Sequence, residues 1–364
     1  MANPCASSLR CRLTSSLADF KPKEGRQAPS SLSFHCQTIM LYSPDEIRER
    51  FETFFQSLDY SHEPETLYEP VRYILSPGGK RIRPVLLLLA TNIFSDEIDN
   101  SLLAAVGIEI LHNFSLIHDD LMDNADMRRG IPTVHRRWNR NTAILAGDVM
   151  PMIACRFLSD IECTRRKQIM DLVLETFIGV CDGQQYDMDF ENRNDVTTEE
   201  YIEMIRLKTS IVIAACLKAG ALMGEASELD ASLLYRFGEK VGLAFQLQDD
   251  LLDVYGDPVV FGKKIGGDIL CNKKTYLYLS ARARANAAMH EELDRWGLYT
   301  GPDPQSKIDG VKAVYNALGV KEQSERLIGE LFAEAMGFLD AVGAPTDRKT
   351  ILKKYVNSMM NRGK

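Results

Sequence analysis

Residues 116–123 read Leu116-Ile117-His118-Asp119-Asp120-Leu121-Met122-Asp123, and residues 245–253 repeat the pattern as Phe245-Gln246-Leu247-Gln248-Asp249-Asp250-Leu251-Leu252-Asp253. Each holds a D-D-x-x-D cluster inside an apolar run. Leu116, Ile117 and Leu121 surround the first, and Phe245, Leu247 and Leu251 the second. On a helix, side chains four apart share a face, so Asp119 is expected beside Asp123 and Asp249 beside Asp253. Like charges at that spacing repel, and several carboxylates in one pocket cannot all stay ionised without compensation. A hard divalent cation with oxygen ligands supplies it, and Mg2+ characteristically bridges carboxylates to substrate phosphates. One such cluster is as readily a solvated acidic face or a helix cap. Two copies on apolar helices, each followed by basic residues, favour the metal site.

Outward from these clusters the apolar periodicity is helical. Ile47, Phe51, Phe54, Phe55 and Leu58 form one face, and Ser76-Pro77-Gly78-Gly79 is a turn. Residues 85–94 are nearly all apolar, as in a helix buried on most sides. Residues 102–122 make one long helix ending in the first cluster, with Gly130-Ile131-Pro132 as the break. Stretches 143–158, 169–190, 198–223 and 233–254 continue the pattern. Strand-like alternation is almost absent. The expectation is an all-α, single-domain bundle of antiparallel helices around a central cavity, spanning residues 40–364, with no linker and no repeat at a solenoid period.

The chain has 364 residues, 45% hydrophobic and 26% charged, which is enough for a large core. A net charge of −8 argues against nucleic acid as a partner. The eight cysteines are scattered without a C-x-x-C pair, so zinc is not expected and a reducing, cytoplasmic setting is. No run of 18 apolar residues occurs, so no membrane span is expected. Residues 1–39 are rich in Ser, carry Arg10, Arg12, Lys21, Lys23 and Arg26, and lack the apolar core of a secretory signal. They are read as outside the fold, either a transit-type segment or an overlong start. Met40 opens directly into Ser43-Pro44-Asp45-Glu46, a good helix start.

Four basic groups accompany the acids. Gly78-Gly79-Lys80-Arg81-Ile82-Arg83-Pro84 combines a glycine pair, which lets backbone approach a ligand, with cations that suit phosphate. Its adjacent glycines exclude a Walker A loop, and the stretch from Gly256 to Lys264 fails the same pattern. Arg128-Arg129 follows the first cluster, Lys208-Thr209 interrupts an apolar helix, and Lys263 and Lys273 follow the second cluster. Taken singly, each is better read as solvated charge. Taken together, they repeat one arrangement: carboxylates for metals, then cations for phosphates.

The motifs GGKRIRP (78–84), LIHDDLMDNADMRRG (116–130), GQQYD (183–187), KT (208–209), FQLQDDLLDVYGD (245–257) and GKKIGGDILCNKKT (262–275) resemble those of the trans-prenyl diphosphate synthases, from about residue 43 to the end. The resemblance implies the type I isoprenoid synthase fold and a homodimer. It implies head-to-tail condensation of isopentenyl diphosphate with dimethylallyl, geranyl or farnesyl diphosphate. About three Mg2+ ions, replaceable by Mn2+, would sit between the two clusters and neutralise charge on the departing diphosphate. Asp119, Asp123 and Asp249 are then the main ligands, supported by Asp120, Asp250 and Asp253. Arg128, Lys208 and Lys263 look like further allylic-diphosphate contacts, with Lys273 beside them. Gly79, Lys80, Arg83 and Arg129 would take isopentenyl diphosphate, with His112 where the family carries a polar residue. Thr209 and Gln246 would face the carbocation in a dry pocket, and Gln184 and Asp187 match supporting positions. The released diphosphate takes the final proton, which fits the lack of an obvious activated base.

Product length enters through the helix before Asp119. Ser115, four residues earlier, lies on nearly the same face and is small, whereas Phe114 is rotated by roughly 140° from Asp119 on an ideal wheel. Helix geometry alone does not turn Phe114 towards the prenyl tail; the resemblance does. An aromatic at this position followed by a small residue is similar to synthases that stop at geranylgeranyl diphosphate. Farnesyl diphosphate, then longer chains, are the alternatives. A class I terpene cyclase is a rival, but cyclases carry a different second motif and need no GGKRIRP. A ferritin-like di-metal bundle needs two Glu-x-x-His pairs, and only Glu109/His112 is present. A non-catalytic partner subunit usually loses Asp or Arg positions, and here all are filled.

Overall fold

A computed structural model describes residues 41–257 and 265–361, so the reading of residues 1–39 and the assignment of Lys263 lie outside the described residues. Helix α1 (Pro44–Ser57) starts on proline with Asp45 and Glu46 in its first turn, as the sequence implies. α2 (Glu65–Leu75) follows with Pro70 inside it, and then α3 (Ile82–Phe94). α4 (Leu102–Met122) is the expected long helix into the first cluster. After α4 the expected break at Gly130-Ile131-Pro132 needs correction. The helix ends at Met122 as expected, and in place of a break Met127–Arg128 pairs antiparallel with Ile131–Pro132 as a hairpin. Its two-residue turn, Arg129-Gly130, has both φ angles positive (51° and 80°), as the tight mirror-image turn requires.

Next come α5 (Val134–Arg137), α6 (Arg140–Ser159), α7 (Arg166–Asn192) and α8 (Thr198–Ile205). A Thr197/Glu200 capping box sets the start of α8. The continuous helix expected over 198–223 is a second correction. Arg206–Ser210 forms a π-turn between α8 and α9 (Ile211–Met223). α10 (Glu228–Tyr255), capped by Ser227, carries the second cluster. The remaining helices are α11 (Gly267–Leu270), α12 (Tyr276–Arg284), α13 (Ala287–Gly297), α14 (Pro304–Ala317), α15 (Val320–Ala341) and α16 (Thr346–Met360). The protein is all-α.

The described residues group into two compact units. One takes in Asp45–Pro84 and Leu102–Asp160; the other takes in Leu41–Pro44, Val85–Ser101 and the chain from Ile161 on. In the first, α4 packs along α6. Gly107 allows this, since a Cβ there would stand 2.8 Å from the Leu158 Cγ. In the second, α10 packs against α9 and α15, and its Leu243, Leu247 and Leu251 enter a core with Ile269, Leu277, Ile308 and Leu331. The stretches Ile98–Met122 and Arg140–Ser159 are long and apolar enough to cross a membrane, where the sequence reading expected none. In the first of these, 67% of the apolar window is buried inside the fold, as a core helix also requires.

Candidate active site

The first cluster sits at the C-terminal end of α4. Asp119 is half-buried and Asp123 is exposed. Asp123 lies just past the helix, but its N–H still donates to the Asp119 carbonyl at 2.8 Å, so the helical spacing holds to the end of the motif. Asp120 differs. It is buried, and Arg128, on the first strand of the hairpin, donates to its Oδ1 through Nε (2.9 Å) and Nη2. Asp120 is therefore neutralised from within the chain, and Arg128 is engaged by it.

Upstream, Gly-Gly-Lys-Arg-Ile-Arg-Pro divides by role. Arg81 is buried, with its guanidinium donating to Glu52 and Glu109 at 2.7 Å each and to the Leu75 and Pro77 carbonyls. It also lies over the Phe55 ring. Arg81 thus fastens the loop to the fold and leaves Lys80 exposed. This also spends Glu109, which further accepts from Asn113, and removes it as half of a Glu-x-x-His metal pair. Arg83 lies 3.2 Å from His112 Nε2. Burial, with Arg83, Arg129 and Arg128 nearby, holds His112 well below the usual histidine range, so the ring is neutral and accepts from Arg83. Gly79 faces the Arg129 guanidinium, since a Cβ there would stand 3.8 Å from it. Gly79, Arg83, His112 and Arg129 thus belong to one cationic neighbourhood, and Lys80 adjoins Gly79 in the chain.

The second cluster lies near the C-terminal end of α10. Asp249 and Asp253 are half-buried, and Asp250 is buried. Asp250 accepts from the Tyr201 hydroxyl and from Gln246 Nε2 at 3.1 Å, and both donors are neutral. Burial pushes its carboxyl up to about 7, helped by nearby Asp268 and opposed by the two hydrogen bonds and by Lys273. Asp253 accepts the Asp268 N–H at 3.0 Å. Lys273 is exposed.

The π-turn brings Lys208 and Thr209 into this group. Lys208 donates to Asp187 at 2.6 Å, and Thr209 donates to Gln246 at 3.4 Å. Thr209, Gln246, Asp250 and Tyr201 therefore form one chain of hydrogen bonds. Two glycines permit the close packing. A Cβ on Gly183 would reach 2.5 Å from the Lys208 backbone nitrogen, and one on Gly242 would reach 2.6 Å from Ser210 Cα. Gly183 opens the G-Q-Q-Y-D motif, so part of that motif serves contact with the turn. Gln184 is half-buried on the same helix, α7.

Phe114 and Ser115 are half-buried on α4. The Phe114 ring meets His118 edge-on at 5.2 Å, and His118 lies against Gly147 of α6, where a Cβ would stand 2.1 Å from the ring. Ser115 donates to the His112 carbonyl at 2.8 Å. Sequence reasoning missed Tyr201, whose signal was only a tyrosine on the helix before Lys208-Thr209, and the anchoring role of Arg81. Among the described residues, no group of three or more His, Cys, Asp or Glu side chains forms a ready-made metal cage.

Residues 64–318 match the family model described as polyprenyl synthetase. A geranylgeranyl diphosphate synthase of Methanosarcina mazei is 42% identical over 242 residues, covering 65% of this chain and 75% of its own. A geranylfarnesyl diphosphate synthase of Natronomonas pharaonis is 41% identical over 60% of this chain and 70% of its own. A crystal structure of a geranylgeranyl pyrophosphate synthase superposes with a TM-score of 0.84 at 37% identity, covering 89% of this chain and all of that one. A geranylgeranyl pyrophosphate synthase from Corynebacterium glutamicum, complexed with isoprenyl diphosphate and magnesium, gives 0.75 at 29% identity, covering 88% and 98%. With the family model matching well over half its length, the chain belongs to the polyprenyl synthetase family.

Proposed function

We propose that residues 40–364 form a Mg2+-dependent prenyltransferase that adds isopentenyl diphosphate head-to-tail to allylic diphosphates, with geranylgeranyl diphosphate as its main product. The observation that carries this reading is the separation of two kinds of anion site. Arg83 and Arg129 lie beside neutral His112, with Lys80 next to Gly79 in the chain, a concentration of cations that suits a metal-free diphosphate. The two aspartate clusters offer the half-buried Asp119, Asp249 and Asp253 and the exposed Asp123 as oxygen donors, which suit a diphosphate bound through Mg2+.

The donor set fits the metal. Mg2+ is commonly held by one or two carboxylates plus phosphates and water, so a preformed cage is not required. Asp119, Asp123 and Asp249 would be the principal ligands of about three ions, with Asp253 in support. When bound, Mg2+ would neutralise the charge developing on the leaving diphosphate. Asp120 and Asp250 contribute less directly, because Arg128 and Tyr201 hold them.

The chain's own cations do the remaining electrostatic work. Lys208 is held by Asp187 and is placed to exchange that partner for a phosphate oxygen. By the family resemblance, Lys273, Lys263 and Arg128 would add positive charge to the same diphosphate. As the allylic carbon–oxygen bond breaks, the Thr209 and Gln246 oxygens face the cation. The isopentenyl double bond then attacks it, and the departing diphosphate takes the proton. A homodimer is expected, since α6 exposes Ile144, Leu145 and Met152, and α7 exposes Leu174 and Ile178.

The geranylfarnesyl relative supports a second reading, a product one isoprene unit longer. Incubating purified protein with isopentenyl diphosphate, each allylic primer and Mg2+, with products measured by mass spectrometry, tests both. Geranylgeranyl diphosphate should dominate. Failure to elongate any primer, or release of a cyclic hydrocarbon, would overturn the proposal.

A further inference from the structure

Lys307 is a buried lysine on α14 whose Nζ, among the described residues, finds no carboxylate as a hydrogen-bond partner. It donates to the Leu270 carbonyl at 3.2 Å and to Asn272 Oδ1 at 2.8 Å. Burying an ammonium against neutral acceptors is costly, so such a group calls for an account of what it holds. Burial lowers its basicity, in keeping with that cost. What it holds is the end of the turn that leaves the second aspartate cluster.

That turn is fixed at three points. At its start, the Gly266 N–H donates to the Asp253 carbonyl at 2.6 Å, and the Asp268 N–H donates to the Asp253 carboxylate at 3.0 Å. Gly266 sits at φ +83°, and a Cβ there would stand 2.6 Å from the Ile308 side chain. Lys307 and Ile308 are neighbours on α14, so one helix holds both ends of α11. Past α11, Asn272 takes a left-handed φ of 55° and donates to the Gly297 carbonyl at 3.1 Å while accepting from Lys307. Lys273 comes next, its N–H donating to the Asp268 carbonyl at 2.9 Å. Lys274 then donates to the Phe190 and Glu191 carbonyls at the end of α7.

We infer that Lys307 is a positioning residue for the second cluster, holding Asn272 and the α11 terminus so that Lys273 and the Asp253 carboxylate present themselves to the allylic diphosphate. The inference rests on the prenyl-transfer reading for its substrate, but the anchoring itself does not. Lys273 lies close enough to Asp250 to influence its charge, so a shift in this turn moves a cation within the site. The hydrogen bonds of Lys307 to Leu270 and Asn272 go to the turn.

Lys307→Met keeps the length and apolar stem and removes the ammonium; Lys307→Arg restores a cationic donor. Without metal or substrate, hydrogen exchange in peptides spanning 265–275 should quicken about tenfold in the methionine variant and stay near wild type in the arginine variant. In steady-state assays, KM for the allylic diphosphate should rise about tenfold while KM for isopentenyl diphosphate stays within about twofold, with arginine recovering most of the loss. Unchanged exchange overturns the inference, and so does an equal rise in both Michaelis constants, the mark of general loosening. If Lys307→Met does not fold, Asn272→Ala removes the acceptor and leaves the ammonium, with the same expectations. Should the wild-type protein elongate no allylic primer, the proposed function fails, and exchange alone still decides the anchoring.

Discussion

Asp120 and Asp250 occupy the same place in the two D-D-x-x-D clusters and both are buried, yet different chemistry compensates them. Arg128, eight residues on, reaches back to Asp120 with a guanidinium that is always charged. Asp250, among the described residues, accepts from a phenol and an amide, with the Lys273 charge a lesser influence, and burial raises its carboxyl to about 7. The comparison teaches that a repeated motif need not repeat its electrostatics. The first cluster holds its middle acid with an internal cation. The second leaves part of its negative charge for an added cation to balance, so its protonation should depend on what is bound.

The largest effects should come from the positions the two clusters share. Asp119→Asn and Asp249→Asn should each lower turnover by at least about a hundredfold, because each would weaken the hold on the Mg2+ that would stabilise the departing diphosphate. Steady-state kinetics with circular dichroism to check the fold would decide. Near-wild-type turnover in a folded variant of one cluster only would mean that a single cluster carries the metals.

A smaller effect should appear at Asp250 alone. In metal-free protein its folded value of about 7 stands above the ordinary 3.8. The folded state therefore binds the proton more tightly than the unfolded state. This group's contribution to stability is fullest below the ordinary value and is lost as pH rises towards about 7. Asp250→Asn should flatten that decline in thermal melts. The Tyr201 hydrogen bond favours the ionised form, so Tyr201→Phe should move the midpoint higher, as read from the carboxyl carbon by NMR. A midpoint unmoved in Tyr201→Phe would show that the hydroxyl is not what opposes burial.

Much of this was legible in the chain, and the reasons are local. D-D-x-x-D in an apolar run places its own carboxylates, because helical spacing depends on sequence separation alone. The same logic located α4, α7 and α10. It could not locate the π-turn, because one extra residue per turn leaves the apolar pattern of 198–223 almost unchanged while redirecting Lys208 and Thr209. Nor could it separate Arg81 from Arg83. Both follow Gly78-Gly79, and only the distant Glu52 and Glu109 make the first structural. Tyr201 was invisible for the same reason, since its partner lies 49 residues away.

The smallest effect on rate, and the sharpest test of asymmetry between the clusters, concerns product length. Five and four residues before Asp119 stand Phe114 and Ser115; before Asp249 the order is reversed, with Ala244 and Phe245. Ala244 is fully buried in the core of its unit, so that helix has no room to vary there. Phe114 is half-buried, and its ring packs edge-on against His118, whose position Gly147 permits. A half-buried ring can be removed at less cost to the core than a fully buried one. Phe114→Ala should therefore leave turnover within about threefold and shift products towards longer chains by deepening the pocket. Ser115→Phe should shorten them, since a ring would then fill the face nearest Asp119. Mass spectrometry of the product mixture reads both directions at once. If neither variant changes the distribution, the floor of the pocket is built elsewhere, with Leu111, one turn further from the cluster, as the next position to vary.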